Sequence, residues 1–395
     1  MPAFSPGNCG VFSVSASETG VLSGNKQLIL NAKAVVLIEE SSGRVLYSKN
    51  ATEKRSIAST TKIMTALTAL ENGNLEDAVT VSKRAASIGG STIGLRAGEK
   101  YTLKEMLYAL LMISANDAAI AIAEHVGGTV ENFAAMMNKR AASLGAADSN
   151  FVTPHGLDRG NQYSTAYDVA LITREALKNP VFAEIVSTTS SSISGHNLYN
   201  TNELLGSYQG VDGVKTGYTG KAGRCLVTTA KRDGMRLISV VLGSPTRGAR
   251  AEATRKLLDY GFDNFKMHRL RKSGEIYARV PVYRGVKGHV PLMVERDIVL
   301  PLTEDEVEII KEKKLVPGVL NAPVYAGMES GFLEYRLNGE VLAQSALKVS
   351  ENIRKKTYLD YLSTIFKSWC RMMRNGMFPG TWGGTCPPVP SAWCV

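Results

Sequence analysis

Cysteine is scarce in this chain, and long hydrophobic runs are missing. Five of the 395 residues are cysteines, and the stretch from residue 10 to residue 369 contains Cys225 alone. A core built on disulfide bonds is therefore excluded, although the cellular compartment stays open. No apolar run reaches the roughly 18 residues that a transmembrane helix needs. Zinc-ligand spacings are also missing, and we expect neither a metal nor a cofactor.

The N-terminal segment lacks the features of an export leader. Residues 1–31 are rich in Ser and Gly, have no basic start, and contain only short apolar runs such as Val11-Phe12 and Leu28-Ile29-Leu30. This pattern does not match a signal peptide. Two interpretations stay open: the chain is not exported, or its true start is missing or altered. We expect residues 1–31 to be atypical or disordered.

Acidic residues are outnumbered by basic ones, which gives a net charge of +10 and a pI near 9.2. Nucleic acid, an anionic membrane or an anionic wall polymer are all possible partners for such a chain. The sequence has no arginine-rich arm and no interleaved aromatic and basic run, so we expect no nucleic acid partner. A hydrophobic content of 44% and a charged content of 21% are typical of soluble globular proteins.

The apolar pattern predicts a mixed domain over residues 32–265. Residues 34–48 form a hairpin with a turn at Gly43, and residues 225–242 form a second hairpin with a turn at Gly234. Helices are predicted between them, with a helix–helix junction at residues 114–117. One antiparallel sheet, built from both ends of the domain, is the arrangement that this order favours.

The C-terminal third changes character twice. Short strands and turns predict a small β-rich domain over residues 270–350. Residues 355–375 then predict an amphipathic helix, because apolar residues recur at i, i+3 and i+4 while Lys367, Arg371 and Arg374 fall on another face. A membrane-surface helix is the favoured interpretation, and a helix docked on the β domain or on a partner is the alternative. Residues 376–395 are predicted to be a disordered tail.

Ser59 and Lys62 lie three residues apart at the start of a predicted helix with a buried face. This spacing places a hydroxyl and an amine on the same side of the helix. A desolvated lysine loses its proton more easily, and a neutral amine can activate a neighbouring hydroxyl as a nucleophile. S-x-x-K is frequent by chance, and the alternative is a serine N-cap followed by a solvated lysine.

Two further motifs follow in the chain. Ser114-Ala115-Asn116 holds a hydroxyl and an amide at the predicted helix–helix junction, where a simple cap is the alternative interpretation. Lys215-Thr216-Gly217 begins the second strand region, where an exposed turn lysine is the alternative. Glycine at position 217 allows a substrate to approach the strand backbone.

The order S-x-x-K, S-x-N, K-T-G is the signature of penicillin-binding proteins and class A β-lactamases. Over residues 32–375 the chain resembles the low-molecular-mass penicillin-binding proteins, the serine-type D-alanyl-D-alanine carboxypeptidases. The resemblance also rests on the segments 43–47, 58–66, 153–157 and 211–217. It implies an α+β fold: a penicillin-binding/β-lactamase-like transpeptidase domain with an antiparallel sheet and helices on both faces, then a small all-β domain and an amphipathic helix.

The same resemblance implies the roles of the site residues. Ser59 attacks the carbonyl between the last two D-alanines of a peptidoglycan stem peptide, Lys62 is the base, and Ser114 relays a proton to the leaving amine. The oxyanion hole would consist of backbone N–H groups of Ser59 and Tyr218. β-Lactams would acylate the same serine. The implied substrate-binding residues are Asn116, Lys215, Thr216, Gly217, Tyr218 and Thr219.

Some features depart from the family pattern. Where some relatives place an arginine upstream of K-T-G, this chain reads 199–202 as Tyr-Asn-Thr-Asn, so we expect Thr216, Thr219 or backbone groups to bind the substrate carboxylate. His155 lies in a Pro-Gly loop, and we expect it to be structural or substrate-lining. The resemblance places the protein at the extracytoplasmic face of the bacterial cytoplasmic membrane, which conflicts with the atypical N-terminus.

Three alternative functions stay open. A class A-like β-lactamase needs a deacylating glutamate between the second and third motifs, and Glu175 and Glu184 are the available candidates, on helical stretches. A D,D-endopeptidase that cuts cross-links is closer to the resemblance. A non-catalytic wall-binding scaffold predicts the loss of a motif residue, and all motif residues are present.

Overall fold

The computed structural model describes residues 28–374. The predictions for residues 1–27 and for the tail at 376–395 fall outside the described residues. The chain divides into two compact units. The first contains residues up to 268 together with 299–309, and the second contains residues 269–298 and those from 310 onward.

The first unit alternates strands and helices along the chain. Its strands are β1 (Ala34–Glu39), β2 (Val45–Lys49), β3 (Ala78–Thr80), β4 (Lys100–Thr102), β5 (Ser190–Ile193), β6 (His196–Tyr199), β7 (Val211–Thr219), β8 (Gly223–Arg232) and β9 (Met235–Ser244). Its helices are α1 (Lys62–Asn72), α2 (Lys83–Ala86), α3 (Leu103–Met112), α4 (Asn116–Gly127), α5 (Val130–Ser143), α6 (Ala166–Ala176), α7 (Pro180–Ser187) and α8 (Arg247–Asn264).

A five-stranded sheet with the order β2-β1-β9-β8-β7 forms the centre of this unit. Every neighbouring pair is antiparallel, and Val36 of β1 lies opposite Val240 of β9. The N-terminal hairpin and the later strands therefore share one sheet, as the sequence predicted.

Both faces of the sheet are covered by helices. Strand β1 is completely buried, because alternate residues point to opposite faces. Val36 and Ile38 pack into the large cluster that contains α1, α3, α4 and α6, whereas Val35 and Leu37 pack against α8. The predicted α+β architecture is confirmed.

The remaining elements complete the second unit and the returning segment 299–309. They are β10 (Lys266–Arg271), β11 (Ile276–Tyr283), β12 (His289–Val294), β13 (Ile298–Leu302), α9 (Glu304–Ile309), β14 (Lys311–Leu315), β15 (Leu320–Asn321), β16 (Glu329–Leu337), β17 (Glu340–Val349) and α10 (Tyr358–Arg374). A six-stranded sheet with the order β14-β16-β17-β12-β11-β15 confirms the predicted all-β region after the first domain.

Helix α10 is strongly amphipathic. Its apolar side chains occupy an arc of roughly 140° at 100° per residue, and those of Ile365, Phe366 and Trp369 are half or more exposed. None of its residues is buried. Between residues 28 and 374, none of the helices combines the length and hydropathy needed to cross a membrane.

Candidate active site

The S-x-x-K motif lies on a tight turn at the entrance to α1. Residues Ala58–Thr61 form a single 3-10 turn, and α1 begins at Lys62. Ala58 has a φ of +49°, a conformation that non-glycine residues rarely adopt. The N-cap of α1 is Thr61, and it makes no side-chain capping bond. Ser59 is thus not the N-cap of this helix, and it lines a cavity instead.

The Lys62 amine is completely buried and has three oxygen neighbours. Its Nζ lies 3.0 Å from Ser59 Oγ, 2.7 Å from Asn116 Oδ1 and 2.7 Å from the carbonyl oxygen of His155. A neutral amine has two N–H groups and one lone pair. If the amide and the carbonyl accept the two N–H groups, the lone pair is left for the Ser59 hydroxyl.

Electrostatics favour this neutral form. Burial, and then the positive charge of Lys215, hold the pKa of Lys62 well below its usual range, while Asp117 opposes the shift. The lysine beside the serine is consequently suited to accept a proton.

Ser114 occupies the break between α3 and α4 with a φ of +67°. Its Oγ is buried without a hydrogen-bond partner in the described structure, and the residue lines the same cavity as Ser59. The N-cap of α4 is Ala115, which makes no side-chain capping bond, so the simple-cap interpretation does not hold for Ser114. Asn116 donates its amide to the Gly89 carbonyl at 2.8 Å, which fixes its Oδ1 toward Lys62.

Asp117, which the sequence analysis did not single out, fixes the loop over this junction. Its carboxylate accepts N–H groups from Ile93, Gly94 and Leu95 at 3.1 to 3.2 Å. It is itself buried. A carboxylate that binds a loop through three backbone groups has no sequence signature beyond the helix start at which it lies.

His155 contacts Lys62 through its backbone carbonyl and not through its ring. Its carbonyl accepts from Lys62, and its Nδ1 accepts the N–H of Leu157 at 3.1 Å. Burial and then nearby cations lower the pKa of His155 to about 3, so the ring is neutral near pH 7. The next residue, Gly156, has a φ of +84°, and a Cβ there would lie 2.0 Å from the Ala58 carbonyl oxygen.

The K-T-G motif lies on β7 beside the nucleophile. Lys215 is buried, and burial together with Arg250 lowers its pKa to about 7. Its Nζ donates to the Thr216 carbonyl at 3.1 Å. The Thr216 hydroxyl lies 2.7 Å from that of Thr201. A Cβ on Gly217 would be 3.0 Å from the Ser59 backbone nitrogen, so glycine allows this close approach.

Tyr218 and Thr219, the last two predicted substrate-binding residues, have different surroundings. Tyr218 lines the cavity with 55% of its surface exposed, and the Arg224 guanidinium lies 3.7 Å above its ring. Thr219 uses its hydroxyl to accept the N–H of Ala222 at 3.0 Å, which closes the turn between β7 and β8.

Residues from all three motifs therefore line one cavity of about 720 Å³, namely Ser59, Ser114, Thr216 and Gly217, together with Tyr218. Residues 22–246 match the family model described as D-alanyl-D-alanine carboxypeptidase. The chain belongs to the D-alanyl-D-alanine carboxypeptidase family. Residues 265–355 match the model described as the C-terminal domain of penicillin-binding protein 5. The predicted family and the predicted enzyme class, a serine hydrolase, are both confirmed.

Individual relatives of this carboxypeptidase cover nearly the whole chain. D-alanyl-D-alanine carboxypeptidase DacF of Bacillus subtilis is 38% identical over 356 residues, which is 87% of this chain and 92% of that protein. DacA of Escherichia coli is 31% identical over 358 residues, 86% of this chain and 89% of that protein. The crystal structure of penicillin binding protein 5 from Haemophilus influenzae aligns with a TM-score of 0.76 and 32% identity, covering 84% of this chain and all of that one.

Arg250 adds a cation to the carboxypeptidase cavity that the sequence analysis missed. It is almost fully buried on α8, donates to the Cys225 carbonyl at 3.2 Å, and donates to the Glu203 carboxylate in three contacts of 2.5, 2.6 and 3.2 Å. Some relatives have an arginine before K-T-G, whereas in this chain the fold brings one from 35 positions after Lys215 (250 − 215). Helix α8 contains many charged residues, and nothing in the sequence distinguishes Arg250 from the others as the one that is buried beside the cavity.

Proposed function

We propose that this protein removes the terminal D-alanine from peptidoglycan stem peptides through an acyl-enzyme on Ser59. The observation that carries the proposal is the arrangement of Lys62. Its amine is buried, lies 3.0 Å from the Ser59 hydroxyl, and has acceptors for its own two N–H groups at 2.7 Å. This is the arrangement of a general base beside a nucleophile.

The first half-reaction forms an ester. Ser59 Oγ attacks the carbonyl carbon between the two D-alanines as its proton passes to Lys62. The developing oxyanion would be stabilised by the backbone N–H groups of Ser59 and Tyr218; the close approach of Gly217, the residue before Tyr218, to the Ser59 nitrogen supports this assignment. The proton held by Lys62 then passes through the Ser114 hydroxyl, which has no competing partner in the described structure, to the leaving nitrogen, so that Lys62 becomes neutral again. The C–N bond breaks and D-alanine leaves.

The second half-reaction restores the enzyme. Water attacks the ester carbonyl, its proton is taken by Lys62, and Ser59 Oγ leaves and recovers a proton. The peptide, shortened by one residue, is released with a new carboxylate. β-Lactams would form the same ester with Ser59 and deacylate slowly.

The terminal carboxylate of the substrate would bind beside Thr216. Thr216 and Arg250 line the cavity, and the amine of Lys215 donates to the carbonyl of Thr216. Since the Thr219 hydroxyl is used in its turn, we assign it a supporting role in shaping β7. Asn116 would orient both the substrate amide and the amine of Lys62.

A serine β-lactamase is less well supported by the geometry. Glu175 pairs with Arg140 and Lys178, and Glu184 accepts from the Tyr108 hydroxyl at 2.7 Å. Both carboxylates are thus engaged away from Ser59, and neither lines its cavity.

Residues 32–265 would form the catalytic domain, 270–350 the small β domain, and 355–375 a membrane-surface helix. The family's peptidoglycan substrate lies outside the cytoplasm, so we place the protein at the outer face of the cytoplasmic membrane. The exposed apolar arc of α10, with Lys367 and Arg371 on the opposite face, fits an interfacial helix.

Intact-protein mass spectrometry after penicillin treatment tests the mechanism. We expect one adduct per chain, mapped to Ser59, and no adduct in Ser59→Ala. Ser207→Ala is a matched control, because Ser207 lines the same cavity but its hydroxyl donates to the Glu203 carbonyl. Release of D-alanine from a diacyl-L-lysyl-D-alanyl-D-alanine peptide, compared with turnover of nitrocefin, separates a carboxypeptidase from a β-lactamase. Labelling that persists in Ser59→Ala would refute the assignment of the nucleophile.

A further inference from the structure

Three arginines at one side of the active-site cavity have no acidic partner. Arg224, Arg247 and Arg255 line the cavity together with Ser59 and Thr216. Across residues 28–374, no carboxylate pairs with any of these three guanidinium groups. Most other arginines of the first unit differ in this respect. Arg44, Arg140 and Arg250, for example, each bind a glutamate.

The charge balance of the cavity is strongly positive as a result. Its lining contains four arginines and a single acidic residue, Glu203. Glu203 forms an ion pair with Arg250 through both of its carboxylate oxygens. The other three positive charges stay uncompensated, and such a lining raises the local concentration of anions.

The start of α8 adds to this field. Arg247 is the first residue of the helix, and the first turn contains no acidic residue. Helices α3, α4 and α6 instead each have an acidic residue in the first turn, which complements the positive end of the helix dipole. Cations at the N-terminus of α8 are unfavourable in the free protein, and a bound anion would relieve this repulsion.

The position of these arginines indicates which part of a substrate they would meet. Arg224 lies opposite Tyr218 in the β7–β8 pairing, and Arg250 contacts the carbonyl of Cys225, which lies opposite Gly217. Arg224 thus lies on β8, next to the strand that we propose to hold the carboxylate of the leaving residue, and Arg247 and Arg255 lie on α8 together with Arg250. A larger leaving residue would extend toward them.

We propose that Arg224, Arg247 and Arg255 form a subsite for a second carboxylate, carried by the leaving residue of the substrate. This inference rests on the proposed function. The substrate class is a D-alanyl-D-amino acid peptide whose leaving residue carries a side-chain carboxylate in addition to its terminal one. The chemistry is unchanged: the ester to Ser59 forms, the C–N bond breaks, the leaving nitrogen gains a proton, and water hydrolyses the ester.

Three synthetic peptides test the subsite. Each is diacyl-L-lysyl-D-alanyl-D-X, where X is alanine, glutamine or glutamate, so that the last two differ in charge at nearly equal size. We expect kcat/KM for the D-glutamate peptide to exceed that for the D-glutamine peptide by about fivefold at low salt, since exposed ion pairs are individually weak. The ratio should fall as salt is added.

Variants then identify the residues responsible. The triple variant R224Q/R247Q/R255Q should lower the glutamate-to-glutamine ratio to below about 1.5, whereas R96Q, which alters an exposed arginine outside the cavity lining, should leave it unchanged. The ratio is measured within each variant, so a reduced fraction of active protein does not affect it.

The outcomes are distinguishable. A wild-type ratio near one, with normal release of D-alanine from the alanine peptide, would overturn the subsite and leave the proposed function intact. A triple variant that keeps the wild-type ratio would also overturn it. Failure to hydrolyse all three peptides, with no penicillin adduct on Ser59, would overturn the proposed function itself.

Discussion

Gly156→Ala should remove most of the activity of Ser59 although position 156 lies outside the S-x-x-K, S-x-N and K-T-G motifs. Gly156 passes directly beneath the turn that presents the nucleophile. A Cβ at this position would lie 2.0 Å from the carbonyl oxygen and 2.6 Å from the carbonyl carbon of Ala58. Ala58 precedes Ser59, so any displacement of its carbonyl also moves the serine.

The size of the displacement follows from these distances. Ordinary carbon–oxygen contacts are about 3.3 Å or more, so the two segments must separate by at least about 1 Å. A misplacement of this size in a catalytic group lowers rates by about 100-fold. Alanine at a φ of +84° adds backbone strain of about 1 kcal/mol.

Gly160→Ala is a matched control in the same loop region. Gly160 also has a positive φ, +55°, but its Cβ would come no closer than 3.8 Å to a neighbouring side chain. This variant carries the backbone strain without the collision. It should lower the melting temperature by roughly 2–4 °C and leave the acylation rate within about twofold.

The assay is the second-order rate constant for acylation by a fluorescent penicillin, with thermal unfolding measured in parallel. Gly156→Ala should acylate about 100-fold more slowly, under conditions where thermal unfolding confirms that the variant is folded. A folded Gly156→Ala protein that acylates within about threefold of the wild type would refute the reasoning, because the serine would then tolerate the displacement.

Two further predictions concern the base and the C-terminal helix. The rate of acylation should increase as the pH rises through the depressed pKa of Lys62, because burial favours the neutral, proton-accepting form of its amine. The charge of Asp117 raises the pKa of Lys62, so Asp117→Asn should move this increase to lower pH. A pH profile of acylation that keeps its position in Asp117→Asn would contradict this. The double change F366S/W369S should weaken binding to anionic lipid vesicles at least about tenfold in a flotation assay, whereas Thr364→Ser on the polar face should bind as the wild type does; equal binding of all three proteins would show that α10 does not attach to lipid.

The sequence predicted those parts of the site that depend on side chains in short motifs. Ser59 and Lys62 are one helical turn apart, Ser114 lies at a helix junction, and Gly217 lies on a strand. Each of these expectations depends on the spacing of side chains along a helix or a strand, which is the same in any fold that contains these elements. That both hairpins belong to one sheet was also predicted, because strands at both ends of a domain tend to complete a common sheet, whereas the order of its strands was not.

Other parts of the site depend on backbone atoms and long-range packing, which a single sequence does not reveal. The second acceptor for Lys62 is the carbonyl of His155, and every residue has a carbonyl. Asp117 acts on three N–H groups whose proximity arises from the fold of the loop. Arg250 enters the cavity because α8 packs against the sheet, and its position there depends on the register of β8 and β9.

The pairing of β1 with β9 has a consequence for the order in which the chain acquires structure. Val36 and Val240 are partners, and about 200 residues separate them along the chain. The first strand cannot be paired on both edges until residues near 244 have emerged from the ribosome. A nascent chain would therefore stay without its completed sheet for most of its synthesis, and loop closure of this length slows folding. The sheet that packs around the Ser59 turn is thus completed late in synthesis, although Ser59 itself lies near the start of the chain.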